Sequence, residues 1–175
     1  MELLDVFNRE NTKKVGQQDR DIVHKNSLWH RQVAIWVMND KNEVLLQRRS
    51  PQKKQHPNKY SVCAGHIDAN EEVIVAALRE LREEIGLSET VDNIEFIDMY
   101  INEEEENNNF KYTYLIRTNK KIDEFKMQDE EVSELKYVTL DELETMIKNR
   151  DEELTFSKKY YAKLILEELN KRKSK

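Results

Sequence analysis

The stretch "GHIDANEEVIVAALRELREEIGL", residues 65–87, decides how this chain is read. Its periodicity predicts a helix over residues 71–86. At about 100° per residue, Ile74, Ala77, Leu78, Leu81 and Ile85 fall on one stripe, so that face packs on a sheet. Glu80, Glu83 and Glu84 occupy the neighbouring sector, at the edge of the buried face. Carboxylates at i, i+3 and i+4 project together. Their repulsion costs roughly a few tenths of a kcal/mol per pair when exposed and more when desolvated. Either this face is solvated, or a cation sits on it. Mg²⁺ suits such a site, because it keeps several waters and is shared between carboxylates and substrate phosphates. Gly65 ends a strand where its carbonyl can turn toward the same ion, and Gly86 is placed as the left-handed residue that stops the helix. Arg79 is within reach of Glu71 or Glu83, which would fix the loop against the helix.

The rest of the chain sets bounds on this reading. Its 175 residues suffice for one domain, 1–175, with a real core. Net charge is −6, which argues against a general nucleic-acid binder. A single cysteine rules out an internal disulfide framework. The start, "MELLDVFNRENTKK", does not read as a signal peptide, and no apolar run approaches a membrane span, so a cytoplasmic protein is expected.

The class expected is α+β, a mixed β-sheet sandwiched between α-helices, because strands and helices mix without a regular βαβ rhythm. In residues 1–28 a short strand over 2–7 precedes a turn at "ENTKKVG". Strands follow at 31–39, 43–49 (as a hairpin partner), 60–64, 94–101, 110–118 and 131–138. The C-terminal region 139–173 holds two helices, over 139–149 and 155–173. Thr139 and Glu142 form a capping box at the start of the first. The aromatics of "SKKYYAKL" read either as core or as the surface of a homodimer.

The pattern of the opening stretch is more specific than its charge. It fits G-x5-E-x7-R-E-U-x-E-E-x-G-U, with U aliphatic, at Gly65, Glu71, Arg79, Glu80, Leu81, Glu83, Glu84, Gly86 and Leu87. At average residue usage a chance match is below roughly one in a hundred thousand. The chain therefore resembles the Nudix hydrolase superfamily, MutT-like enzymes that cleave a nucleoside diphosphate linked to another moiety. The resemblance implies that Glu80, Glu83 and Glu84 bind Mg²⁺ or Mn²⁺, helped by the Gly65 carbonyl. It further implies a small-molecule diphosphate substrate attacked by an activated water, with a carboxylate accepting the water's proton. Glu131, in "QDEEVSELKYV", matches the family's later acidic segment as an extra ligand or base; the alternative is a solvated loop acid.

Residues 23–67 resemble one branch of that superfamily, the type I isopentenyl-diphosphate isomerases and hydrolases like them. By that resemblance His24, His30 and His66 form a second metal site. Three departures favour hydrolysis over isomerisation. Ala64, not cysteine, precedes Gly65, and a one-residue shift turns Cys63 to the other face of its strand. The later strand carries Lys111 and Thr113 where the isomerases hold a glutamate. The glutamate box is intact. A diphosphate also needs cations beyond the metal, and Arg48, Arg49, Lys53 and Lys54 are the candidates, with one of the two arginines facing the cleft because neighbours in a strand alternate.

Overall fold

The computed structural model describes residues 2–104, 106–156 and 159–174. Strand β3 (His30–Met38) is the spine of the molecule. Its alternation feeds two cores: Ala34, Trp36 and Met38 point to one face, and Val33, Ile35 and Val37 to the other. Burial on both faces explains why "VAIWVM" is an unbroken apolar run. Parallel to β3 runs β8 (Asn109–Arg117), which pairs outward with β7 (Ile94–Asn102), antiparallel.

On its other side β3 meets β4 (Glu43–Arg49), but the two share one pair only, Met38 with Val44. The hairpin expected from the sequence therefore forks at its turn. One arm is β3 with β6 (Cys63–His66); the other is β4, flanked by β5 (Tyr60–Ser61) and β9 (Val132–Thr139). Val62 carries the chain from one arm to the other.

Helix α2 (Val73–Ile85) lies on the forked face, burying Ala76, Ala77, Leu81 and Ile85 with Val33, Ile35 and Val37. It starts two residues later than its periodicity suggests, because the Glu71 side chain turns back to accept from the Asp68 N–H at 3.0 Å. Gly86 ends it with φ 66°, and the Gly86 and Leu87 N–H groups close the last turn onto Arg82 and Leu81. Helices α3 (Leu140–Lys148) and α4 (Tyr160–Lys171) cover the opposite face around Trp36 and Phe156. The Thr139–Glu142 capping box is formed. The architecture is α+β, a mixed sheet between helices.

The N-terminal region differs from expectation. The "turn" after β1 (Leu3–Phe7) continues as β2 (Lys14–Asp19), forming a two-stranded sheet, and Asp19 caps a short helix, α1 (Arg20–Lys25). Exposed glutamines fill β2, so no apolar alternation marks it. Of the final expected helix, Ser157 and Lys158 lie outside the described residues. No helix among the described residues is long and apolar enough to cross a membrane.

Candidate active site

Where the sheet forks, the ladder between its arms is lost, and Glu84 occupies the gap. Its carboxylate, on α2, accepts from the Gln47 amide on β4 at 2.9 Å and from the Ala64 N–H on β6 at 3.1 Å. Glu84 is 5% exposed, and burial raises its carboxyl above the ordinary range despite these bonds and one from the Cys63 thiol. One turn earlier Glu80 reaches the same strand. Its carboxylate lies in the space that a side chain at position 65 would fill: a Cβ built on Gly65 would overlap it, with even the farther oxygen at 2.6 Å. The glycine is required here by close approach. Burial and the neighbouring Glu84 charge push Glu80 up to about 7.

Glu83 is more exposed, and it is tied to the other acids through Arg79. The Arg79 guanidinium donates to both Glu71 oxygens at 2.9 Å, to Glu80 at 2.7 Å, to Glu83 at 3.2 Å and to the His66 carbonyl at 3.0 Å. Its pKa is raised, first by Glu71 and then by Glu80. Arg79 thus fixes the loop after β6 against α2, as its sequence position suggested. The three box acids, Gly65 and Arg79 line one cavity of about 450 Å³, a size suited to a small molecule. Glu131 lines the same cavity and is bound to Lys53 at 2.5 Å.

The four cations of the basic loop part company. Arg49 and Lys53 line the cavity. Burial lowers the Arg49 pKa, while Glu84 and Glu131 act to raise it. Arg48 does not line it: alternation along β4 turns its side chain away, to Glu134 at 3.3 Å and over the Tyr60 ring. Lys54 is exposed in the loop and also stands outside the lining, so Arg48 and Lys54 are corrected as substrate ligands. Gln47, which holds Glu84 across the fork, was not singled out in the sequence; its signal is a polar residue at a position that strand alternation assigns to the core.

The three histidines meet. Their ligand atoms lie within 4.8 Å of one another, although the residues come from α1, β3 and β6. His24 Nδ1 lies 2.6 Å from the Glu106 carbonyl and His30 Nδ1 3.1 Å from the Leu28 carbonyl. A carbonyl can only accept, so both rings carry the proton on Nδ1 and direct the Nε2 lone pair inward when neutral. His24 Nε2 and His66 Nε2 are 3.0 Å apart, and Gln32 Nε2 stands 3.2 Å from the Nε2 atoms of His30 and His66. Burial lowers His30 to about 4 and His66 well below the ordinary histidine range. Cys63 faces the other way, into the α2 core, where burial and then Glu84 push its thiol up.

Fold and site together define a class, domains built on a mixed sheet with a glutamate-bearing helix beside a polar cavity. Residues 28–163 match the NUDIX domain family, and the chain belongs to it. Nudix hydrolase 3 of Arabidopsis thaliana is 32% identical over 160 residues, 86% of this chain; the chain spans only 21% of that protein's length. A Nudix hydrolase of Clostridium acetobutylicum described as uncharacterized is 31% identical over 159 residues, covering 85% of this chain and 75% of its own. Shorter matches reach a prenyl-diphosphate phosphatase of Methanosarcina mazei, 34% identical over 74 residues (42% of this chain, 44% of that protein), and an isopentenyl-diphosphate Delta-isomerase of Aromatoleum aromaticum, 32% over 80 residues (45% of each). Among solved structures, DR0079 from Deinococcus radiodurans superposes with a TM-score of 0.70 at 24% identity, covering 85% of this chain and 90% of that one, a likeness of fold.

Proposed function

We propose that this domain is a divalent-metal-dependent pyrophosphohydrolase that cleaves the diphosphate linkage of a nucleotide or other small diphosphate. The observation that carries the reading is the Glu80 carboxylate held in the space beside Gly65, next to Glu84 and Glu83 in one cavity. The donor set fits a hard cation: carboxylates crowded until burial and like charge raise Glu80 to about 7 leave negative charge that an ion would relieve. Glu80, Glu83, Glu84 and the Gly65 carbonyl would hold Mg²⁺ or Mn²⁺. Such an ion supplies charge neutralisation for diphosphate oxygens and acidity to water.

The remaining work falls to the chain. Arg79 orients Glu80 and Glu83 while tying down Glu71. Glu131, which lines the cavity and is bound to Lys53, would accept the proton of the attacking water. Arg49 and Lys53 bind phosphate oxygens, the guanidinium in bidentate fashion.

The test is release of phosphate from nucleoside di- and triphosphates, sugar nucleotides and isopentenyl diphosphate, with Mg²⁺ or Mn²⁺, by the protein and by Glu84→Gln. Hydrolysis abolished by the substitution supports the reading. Proton exchange into isopentenyl diphosphate without phosphate release would establish the isomerase instead, and tight binding without turnover would establish a non-catalytic binding module.

A second cation site is favoured by one observation. His24 and His30 are fixed by carbonyls with Nε2 aimed inward, and the ligand atoms of all three histidines lie within 4.8 Å of one another, an arrangement that a shared cation would fit. Three neutral imidazoles suit Zn²⁺ or Mn²⁺. Equilibrium dialysis against Zn²⁺ and Mn²⁺ checks it: Glu84→Gln retains this binding and His66→Gln loses it, and equal binding by both would sink the assignment.

A further inference from the structure

Of the cavity cations that the mechanism leaves unused, Arg20 is bound to Glu2 and Lys159 to Glu104; the third is Lys111. Lys111 sits mid-strand in β8, in register with Gln32 of β3, which in turn pairs with His66 of β6. Residues in register share a face, so Lys111 lies on the cavity side of the sheet and lines the cavity. Its ammonium stands 4.8 Å from the centre of the Tyr161 ring, on α4. Among the described residues it has no hydrogen bond and no ion pair. Glu104, whose charge favours the ammonium, is bound to Lys159. Burial lowers the Lys111 pKa to about 8. A cation withdrawn from water without an anion is costly, and a cation–π contact returns only part of that cost.

Two strand spacings, about 10 Å, separate the Lys111 backbone from β6, the strand that carries Gly65. Gly65 meets Glu80 on the α2 side of that strand, whereas Lys111 stands on the other face. Lys111 therefore addresses a part of the substrate beyond the bridge held at the glutamates. Gln32, Glu104, Asn107, Thr155, Lys159 and Tyr161 also line the cavity. They offer hydrogen bonds, and with Lys159 bound to Glu104 the uncompensated positive charge among them is that of Lys111.

We propose that Lys111 and Tyr161 form an anion subsite at the far end of the cavity, which selects diphosphates whose second moiety itself carries a phosphate or carboxylate. The inference rests on the pyrophosphohydrolase reading and narrows its substrate class.

The closing experiment has a binding arm that does not depend on turnover. The full chain, in EDTA, is titrated calorimetrically with inorganic phosphate, alongside Lys111→Met and Lys111→Arg. Lys111→Met is expected to weaken binding by roughly tenfold or more, the scale of one charge-assisted contact, and Lys111→Arg to retain it. In the same buffer without phosphate, Lys111→Met is expected to melt at least as high as the natural chain, because it removes an unpaired cation. The second arm compares kcat/KM, with Mg²⁺, for two matched pairs: UDP-glucuronate against UDP-glucose for the carboxylate, and NADPH against NADH for the phosphate. A preference for the anionic member of either pair, lost in Lys111→Met, identifies which anion the subsite takes. Equal phosphate binding by natural chain and Lys111→Met, or a preference that survives the substitution, overturns the subsite. Absence of turnover with every substrate, with the binding difference intact, overturns the hydrolase reading and leaves the anion site standing.

Discussion

Replacing Gly65 by alanine separates the fold from the site. The residue lies within β6 in register with Val33, and its φ is not in the left-handed region, so the backbone accepts a side chain without strain. The added methyl would overlap the Glu80 carboxylate, whose farther oxygen is 2.6 Å from the Cβ position. The three atoms nearest that position all belong to the far end of this flexible side chain. Glu80 therefore swings out, giving up its 2.7 Å bond from Arg79. A charge-assisted bond of this kind is worth about 1.5–3 kcal/mol. Against it stand about 0.4–1 kcal/mol from the stiffer unfolded chain and relief of the burial that raises Glu80 to about 7. These opposing contributions nearly cancel, so the net change lies within about 2 kcal/mol of zero, or about 4–8 °C in Tm. Function should suffer far more. Loss of a cation ligand costs at least the roughly 10–100-fold in metal affinity that removal of an outer partner does. Melting curves and Mg²⁺ titrations of phosphate release read both quantities on one sample. An unchanged Mg²⁺ dependence in Gly65→Ala would refute the assignment of Glu80 to the cation. A chain that fails to fold would show instead that Gly65 serves the strand.

Other expectations follow from the same geometry. Glu80 is pushed from 4.5 to about 7 in the fold, so the folded chain holds this proton more tightly than the unfolded one. Stability without metal is therefore fully present below pH 4.5 and falls by about 3 kcal/mol as pH rises through 7. In EDTA, Glu80→Gln should melt above the natural chain at pH 8 and level with it near pH 4.5, and Mg²⁺ should narrow the gap. Arg79→Lys keeps the charge but cannot span Glu71, Glu80 and the His66 carbonyl together; a loss of roughly 2 kcal/mol and a drop in kcat/KM beyond tenfold are expected from melting and steady-state assays. Cys63 is buried with its thiol pushed up, so Cys63→Ser should hydrolyse diphosphates within a few-fold of the natural chain, and iodoacetamide should leave activity intact. Activity abolished by either would return the cysteine to the chemistry.

The glutamate helix was legible because two local rules coincide there: a 3.6-residue stripe for the core and an acid sector beside it. The capping box of α3 and the left-handed Gly86 were legible for the same reason, since each is decided within a few residues. The fork between β3 and β4 was not, because it is decided by which distant strands, β6 and β9, take the freed edges. Strand β2 escaped notice because its partner β1 supplies the register while its own side chains stay in solvent. Arg48 and Arg49 show the limit within one element. Alternation says that they face opposite ways, but which of them meets the cavity depends on Glu134 and Tyr60, residues from other strands.

The fork also explains why one-residue phase matters so much in this fold. On β6, Ala64 and His66 look toward Gln32 and the cavity, while Cys63 and Gly65 look toward α2. A thiol at position 64 would stand in the cavity; at 63 it donates to Glu84 from within the core. The same logic applies across the sheet. A carboxylate at 111 would add a ligand beside the three histidines, whereas the lysine there adds a cation and calls for an anion. Each change keeps the strand, its register and its burial, and alters only what the cavity is offered. The scaffold thus fixes where groups stand, and two positions, 64 and 111, turn a surface that could pair a cysteine with a metal into one that presents negative charge at the helix and positive charge at the far wall. A divalent cation carrying the diphosphate bridge at the first and an anionic tail at the second would satisfy both, which is why the substrate panel must vary the charge of the leaving moiety before it varies the base.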